Sequence, residues 1–117
     1  MMKFFLIFIG GGFGTLLRYL ISLLFVRFSL PVGTLLANIL SCLILGFSLF
    51  FFEKYNLSDN FRLLMLVGFC GGLSTFSTFS YETINLFKSG NFNYAMLNIV
   101  FSIVLCFSVI CFLIKKL

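Results

Sequence analysis

The sequence predicts an all-α membrane protein of four transmembrane helices, with the third helix broken at Gly71-Gly72. Three observations carry this expectation. The 117 residues are 62% hydrophobic and only 9% charged. Four long apolar stretches are separated by short polar breaks, and the third holds adjacent glycines followed by a dense run of hydroxyl residues. A soluble domain needs charged surface to stay in water, and this chain has little. A helix crosses the hydrocarbon with about 20 apolar residues, so the length suits a single four-helix domain over 1–117 with no separate soluble part.

The first span is expected at roughly 4–26. Met1, Met2 and Lys3 before the apolar run Phe4 to Ile9 superficially suggest a signal peptide. The run continues through Gly10-Gly11-Gly12-Phe13-Gly14 into Leu16 to Val26, with no small-residue cleavage pattern, so it reads as a retained helix. Arg27-Phe28-Ser29-Leu30-Pro31 ends it. The second span is expected at 32–52, followed by the longest polar stretch, Glu53 to Asn60. The third covers 61–87 and turns at Lys88-Ser89-Gly90-Asn91, and the fourth covers 92–114 before Lys115 and Lys116. Within lipid every backbone group must be paired internally, which makes these runs helices.

The net charge of +5 does not indicate a nucleic-acid partner, because the basic residues are scattered at span ends. Lys3, Arg27, Lys54, Arg62, Lys88, Lys115 and Lys116 stand where cations snorkel to the interface. Their distribution weakly favours both termini inside and leaves the orientation open. The four cysteines, Cys42, Cys70, Cys106 and Cys111, lie in apolar stretches. With no C-x-x-C and no His, they read as small buried hydrophobes rather than zinc ligands.

Polar residues inside the spans are the informative ones, since each is costly unless it faces protein or water. In span one, glycines at 10, 11, 12 and 14 suit close helix packing. Arg18 requires an anion, a carbonyl cluster or water, or else snorkels to the surface. Thr34, Asn38 and Ser41 in span two share one helical stripe, as do Tyr94, Asn98 and Ser102 in span four. Two such stripes suggest a shared wet seam rather than isolated interhelical glue.

Span three holds the densest signal, from Gly68 through Ser74-Thr75-Phe76-Ser77-Thr78-Phe79-Ser80 to Glu82. Discontinuous membrane helices present carbonyls at one end and N–H groups at the other, suited to cations and anions respectively. Glu82 is the acid lying well inside a span, and a simple flexible kink is the plain structural alternative for the whole segment. Phe76 and Phe79 are neighbours on one helical face, and a phenyl ring carries a positive edge that can face an anion.

Over essentially its full length the chain resembles the small fluoride channels of the Fluc/CrcB family. The matching pieces are Gly11-Gly12-Phe13-Gly14 through Arg18-Tyr19, Gly33-Thr34-Leu35 with Asn38, and above all Gly71-Gly72-Leu73-Ser74-Thr75-Phe76-Ser77-Thr78-Phe79-Ser80 with Glu82. The resemblance implies a passive channel that exports fluoride down its electrochemical gradient and lowers cytoplasmic fluoride toxicity. It implies a multi-pass protein of the bacterial plasma or inner membrane. Two subunits inserted in opposite orientations would form an antiparallel dimer, from identical chains or from a paired homologous subunit. Phe76 and Phe79 would supply ring edges to the fluoride pathway and Asn38 an amide donor, with Ser77, Thr78, Glu82 and Tyr94 on or near a polar track. Arg18 is a further pathway candidate. A structural sodium ion (Na+) at the dimer centre would be held by main-chain carbonyls at Gly71 and Ser74. The chain departs from the family pattern at Thr15, Ser41, Ser74 and Asn98.

Two other readings stand beside this one. A proton-coupled exporter of the small multidrug-resistance type needs an acid in its first span, and here that span carries Arg18 and no acid. A non-conducting assembly subunit explains helix packing but leaves the hydroxyl- and Phe-rich break without a purpose. An enzyme is not expected, because there is no His, no acid pair and no nucleophile–base arrangement.

Overall fold

The computed structural model describes residues 1–27 and 31–115. Phe28, Ser29 and Leu30 of the first polar break, and Lys116 of the terminal basic pair, lie outside the described residues. Four helical stretches are long and apolar enough to span a membrane. They are α1 (Met2–Leu24), α2 (Val32–Tyr55), a composite third span over Asp59–Lys88, and α6 (Phe92–Lys115). The protein is a multi-pass membrane protein.

The third span has four parts: a single turn α3 (Asp59–Arg62), a π-helical stretch (Leu63–Cys70), a short turn α4 (Gly71–Leu73) and α5 (Phe76–Lys88). The polar stretch before it is shorter in space than in sequence. Glu53, Lys54 and Tyr55 continue α2, and only Asn56, Leu57 and Ser58 connect the spans. Asn56 ends α2 in the left-handed conformation, its N–H donating to the Phe52 carbonyl. The Ser58 hydroxyl then accepts from the Phe61 N–H and starts the next helix. At the other end Gly90, with φ +85°, turns the chain toward α6.

The third span is broken as expected, but the extended residues are Ser74 (ψ 155°) and Thr75 (φ −152°, ψ 123°). Gly71 and Gly72, where the sequence placed the break, stay helical. The glycines serve closeness rather than conformational freedom. α1 packs against the π-helical stretch and α4 across a seam of bare backbone. A Cβ added at Gly14 would fall 2.9 Å from the Leu73 nitrogen and closer still to the Phe69 carbonyl. One at Gly72 would lie 3.0 Å from Thr15 Oγ1 and nearer the Gly11 carbonyl, while one at Gly68 would meet the Ile7 carbonyl at 2.9 Å. Gly12 faces open space and takes no part in this seam. On the opposite side α2 packs along α6, where Gly46 admits Leu113, and α5 packs on α6.

Candidate functional site: a broken helix over a ring-lined groove

The break is maintained by side chains of its neighbours. Asn38 on α2 meets Thr75 with both ends of its amide: Oδ1 accepts the Thr75 N–H at 2.8 Å, and Nδ2 donates to the Thr75 carbonyl at 3.4 Å. Thr75 in turn caps α5, its Oγ1 accepting from the Thr78 N–H at 3.2 Å. One turn earlier the Cys70 carbonyl accepts from Ser41 Oγ at 2.9 Å, from Ser74 Oγ at 2.9 Å and from the Ser74 N–H at 3.0 Å. Farther along, Thr34 donates to Glu82 through a short hydrogen bond. The span-two stripe of Thr34, Asn38 and Ser41 is therefore directed at the third span over its whole length.

These bonds redirect the backbone. In an α-helix the Thr75 N–H would pair with the Gly71 carbonyl, and the Thr78 N–H with the Ser74 carbonyl. Both donors are engaged elsewhere, so the carbonyls of Gly71 and Ser74 lose their helical partners. Gly71 is exposed, with nothing within 4 Å of where a side chain would start. Arg18 reaches the same turn from α1, its Nε donating to the Gly72 carbonyl at 3.2 Å. Of the fates open to this guanidinium, the carbonyl is the one taken.

A groove of about 430 Å³ opens on the outer side of the break. Asn38, Ser74, Thr75, Phe76, Phe79 and Ser102 line it, together with Cys42, Ile103, Cys106 and Phe107. The rings of Phe76 and Phe79 stand 5.8 Å apart at 43°, and Phe76 is 79% exposed. Among the described residues, Ser102 Oγ is the buried side-chain oxygen without a partner within the chain. A buried polar atom of this kind calls for a water or a polar guest.

Of the residues singled out from the sequence, Asn38, Phe76 and Phe79 meet in this groove. Ser77 and Thr78 lie on the first turn of α5 at its rim; Ser77 Oγ is 3.3 Å from Thr75 Oγ1. Glu82 sits one helical turn beyond Phe79, with Thr34. Tyr94 borders a separate, smaller cavity of about 90 Å³ with Asn98, Leu97 and Phe101. Arg18 does not line the groove and bonds to the Gly72 carbonyl from α1. Sequence reasoning passed over Thr83 and left Thr75 without a specific role. Thr83 is 5% exposed, donates to the Phe79 carbonyl at 2.7 Å and accepts from Asn98 Nδ2 at 2.9 Å. The buried amide of Asn98, which needs a polar partner in lipid, was the signal that could have found it.

Four membrane-crossing helices, one interrupted by a hydroxyl-rich, ring-lined turn that withdraws two backbone carbonyls from helical pairing, define a small helical membrane protein built around a discontinuous span. Comparison with known proteins supplies the family. The family described as "CrcB-like protein, Camphor Resistance (CrcB)" matches residues 5–114. A protein of Methanococcus vannielii named "Fluoride-specific ion channel FluC" is 42% identical over 113 residues, covering 96% of this chain and 93% of that one. A Pyrococcus abyssi protein of the same name is 44% identical over 108 residues, covering 90% and 87%. One from Escherichia fergusonii is 42% identical over 97 residues, covering 80% and 76%. The chain belongs to the CrcB family.

Proposed function

We propose that this protein is a fluoride-selective channel, not an enzyme, letting fluoride leave the cell passively. The observation that carries the reading is the groove at the break, where Phe76, Phe79 and Asn38 line the same space together with Ser74, Thr75 and Ser102. Family membership and the names of the relatives support it.

Fluoride is small and strongly hydrated, so a path must replace its water with donors. One Asn38 N–H holds the Thr75 carbonyl, and the second remains to meet an anion in the groove. The ring edges of Phe76 and Phe79 add a weaker attraction that does not trap the ion. A narrow path with dense donors discriminates against larger anions such as chloride. Hydrogen fluoride enters cells as a neutral weak acid and ionises in the less acidic cytoplasm. The membrane potential then drives the anion out, contributing about 2.3 kcal/mol per charge at 100 mV. The site of action is the bacterial plasma or inner membrane.

The functional unit in this reading is an antiparallel dimer of identical chains or of paired homologues. Support comes from the exposure of Phe76 and from Gly71, both of which face outward from a single chain. A sodium ion at the dimer centre would be held by the carbonyls of Gly71 and Ser74, the two that the break withdraws from helical pairing. Its charge would fix the break from the outside while Asn38 and Thr75 fix it from within.

The test is fluoride release from liposomes carrying purified protein, read with a fluoride electrode against a chloride control. Fast fluoride release without chloride release is expected. Equal release of both ions refutes the selectivity, and no release from well-folded protein refutes the self-paired channel. For sodium, replacing it with a large organic cation is expected to lower both flux and dimer stability. Unchanged values would remove the ion from the account.

A further inference from the structure

The rings of Phe76 and Phe79 sit on the first turn of α5, a helix whose N-terminus is free of the preceding turn because the chain is extended at Ser74 and Thr75. Such an end frays unless it is tied down. Asn38 ties it at Thr75 from α2. A second tie comes from α6 and involves residues given no part in the pathway so far. Asn98 Nδ2 donates to Thr83 Oγ1 at 2.9 Å, and Thr83 Oγ1 donates to the Phe79 carbonyl at 2.7 Å.

Both side chains are almost completely enclosed, Thr83 at 5% and Asn98 at 7% exposure. The direction of the chain is fixed by chemistry. The amide nitrogen only donates, so the hydroxyl must accept from it and has its own proton left for the carbonyl. A threonine that merely back-bonds to the preceding turn can swing between rotamers, whereas one held by a buried amide cannot.

We infer that Asn98 and Thr83 form a positioning strut, running from α6 to the backbone of Phe79, that sets the attitude of the Phe79 ring in the groove. They are positioning residues: neither lines the groove, and they act through Phe79. Asn98 suits this task because its amide nitrogen reaches Thr83 on α5 from α6. The inference rests on the reading of Phe79 as a wall of the fluoride path, and its test keeps the two separable.

The experiment places 4-fluorophenylalanine at position 79 and records its ¹⁹F resonance in the full protein in lipid, alongside fluoride flux from liposomes. Thr83→Val deletes the hydroxyl at constant shape, Asn98→Leu deletes the amide, and Thr83→Ser keeps the relay. Thr83→Val and Asn98→Leu are expected to move the resonance in the same direction, with Thr83→Ser leaving it in place. Each of the first two is expected to lower flux by roughly three- to tenfold, the range one hydrogen bond spans. The double variant is expected to lose no more than either single, because the residues are links of one strut. In a Phe79→Ala background neither should lower flux further.

An unmoved resonance in both deletion variants overturns the strut, as do additive flux losses or losses that persist without the Phe79 ring. If Thr83→Val does not fold, Asn98→Leu cuts the same strut from the other end. If the unaltered protein carries no fluoride, the channel reading fails, and the resonance still decides the strut.

Discussion

Leu63–Cys70 contains no charged or hydroxyl side chain and meets α1 through bare glycine backbone, whereas Phe76–Lys88 begins on a hydroxyl cap and is tied to α2 and α6 by side-chain hydrogen bonds. Both belong to one transmembrane span, and the break at Ser74 and Thr75 divides them. In lipid there is no hydrophobic drive between helices, so the first half is held by van der Waals closeness. It depends on side chains being absent. The second half is held by polar groups that have nowhere else to pair, and it depends on particular side chains being present. Damage to the first should therefore prevent folding, while damage to the second should spare the fold and impair the site.

Gly14→Val is the largest expected disruption, since its added carbons would enter the backbone of Phe69 and Leu73. Overpacking against backbone costs about 3 kcal/mol or more, and the measure is loss of a monodisperse peak in detergent chromatography. Gly12→Ala, facing open space, should elute as the unaltered protein does. Similar behaviour of the two would abolish the contrast between the halves. Asn38→Ala comes next. It leaves the Thr75 N–H without its acceptor, at a cost of about 2 kcal/mol, and fluoride flux should fall by more than tenfold while the protein still folds. Phe76→Ala sharpens the comparison further. The ring is mostly exposed in the single chain, so the chain should still fold and elute as a monodisperse peak while flux falls clearly. Unchanged flux in both Phe76→Ala and Asn38→Ala would separate the groove from conduction. Ser41→Ala should be the mildest, near 0.5 kcal/mol in a melting experiment, because the Cys70 carbonyl keeps both of its bonds from Ser74.

Much of this arrangement was legible from residue types and spacing. Period and length placed the four spans, and the Thr34, Asn38 and Ser41 stripe pointed to a polar face that does bond to the third span. The position of the break was less legible. A Gly-Gly pair carries two meanings, permission to bend and permission to approach, and α1 decides for approach. The extended conformation instead falls on Ser74 and Thr75, whose own propensities are weak, because Asn38 on another helix captures the Thr75 N–H. Thr83 escaped notice because a threonine inside a helix is ordinary until its partner in α6 is known. The sequence leaves Arg18 an anion, a carbonyl cluster, water or the membrane surface, and only the folded chain chooses the carbonyl.

The π-helical stretch at Leu63–Cys70 has a consequence for how this protein can tolerate length changes. A π turn holds one residue more than an α turn, so the stretch works as a phase setting for everything after it. Deleting a single apolar residue there would leave hydropathy, charge and span count essentially untouched. A turn that tightens to α geometry absorbs that loss and keeps Thr75 opposite Asn38, whereas one residue deleted from the α-helical turn at Gly71–Leu73 has no such slack and rotates Thr75 by about 100° away from Asn38. Two chains indistinguishable by hydropathy would then differ in whether their rings and amide face the same groove. In this span, the number of residues before the break is as much a part of the site as their identity.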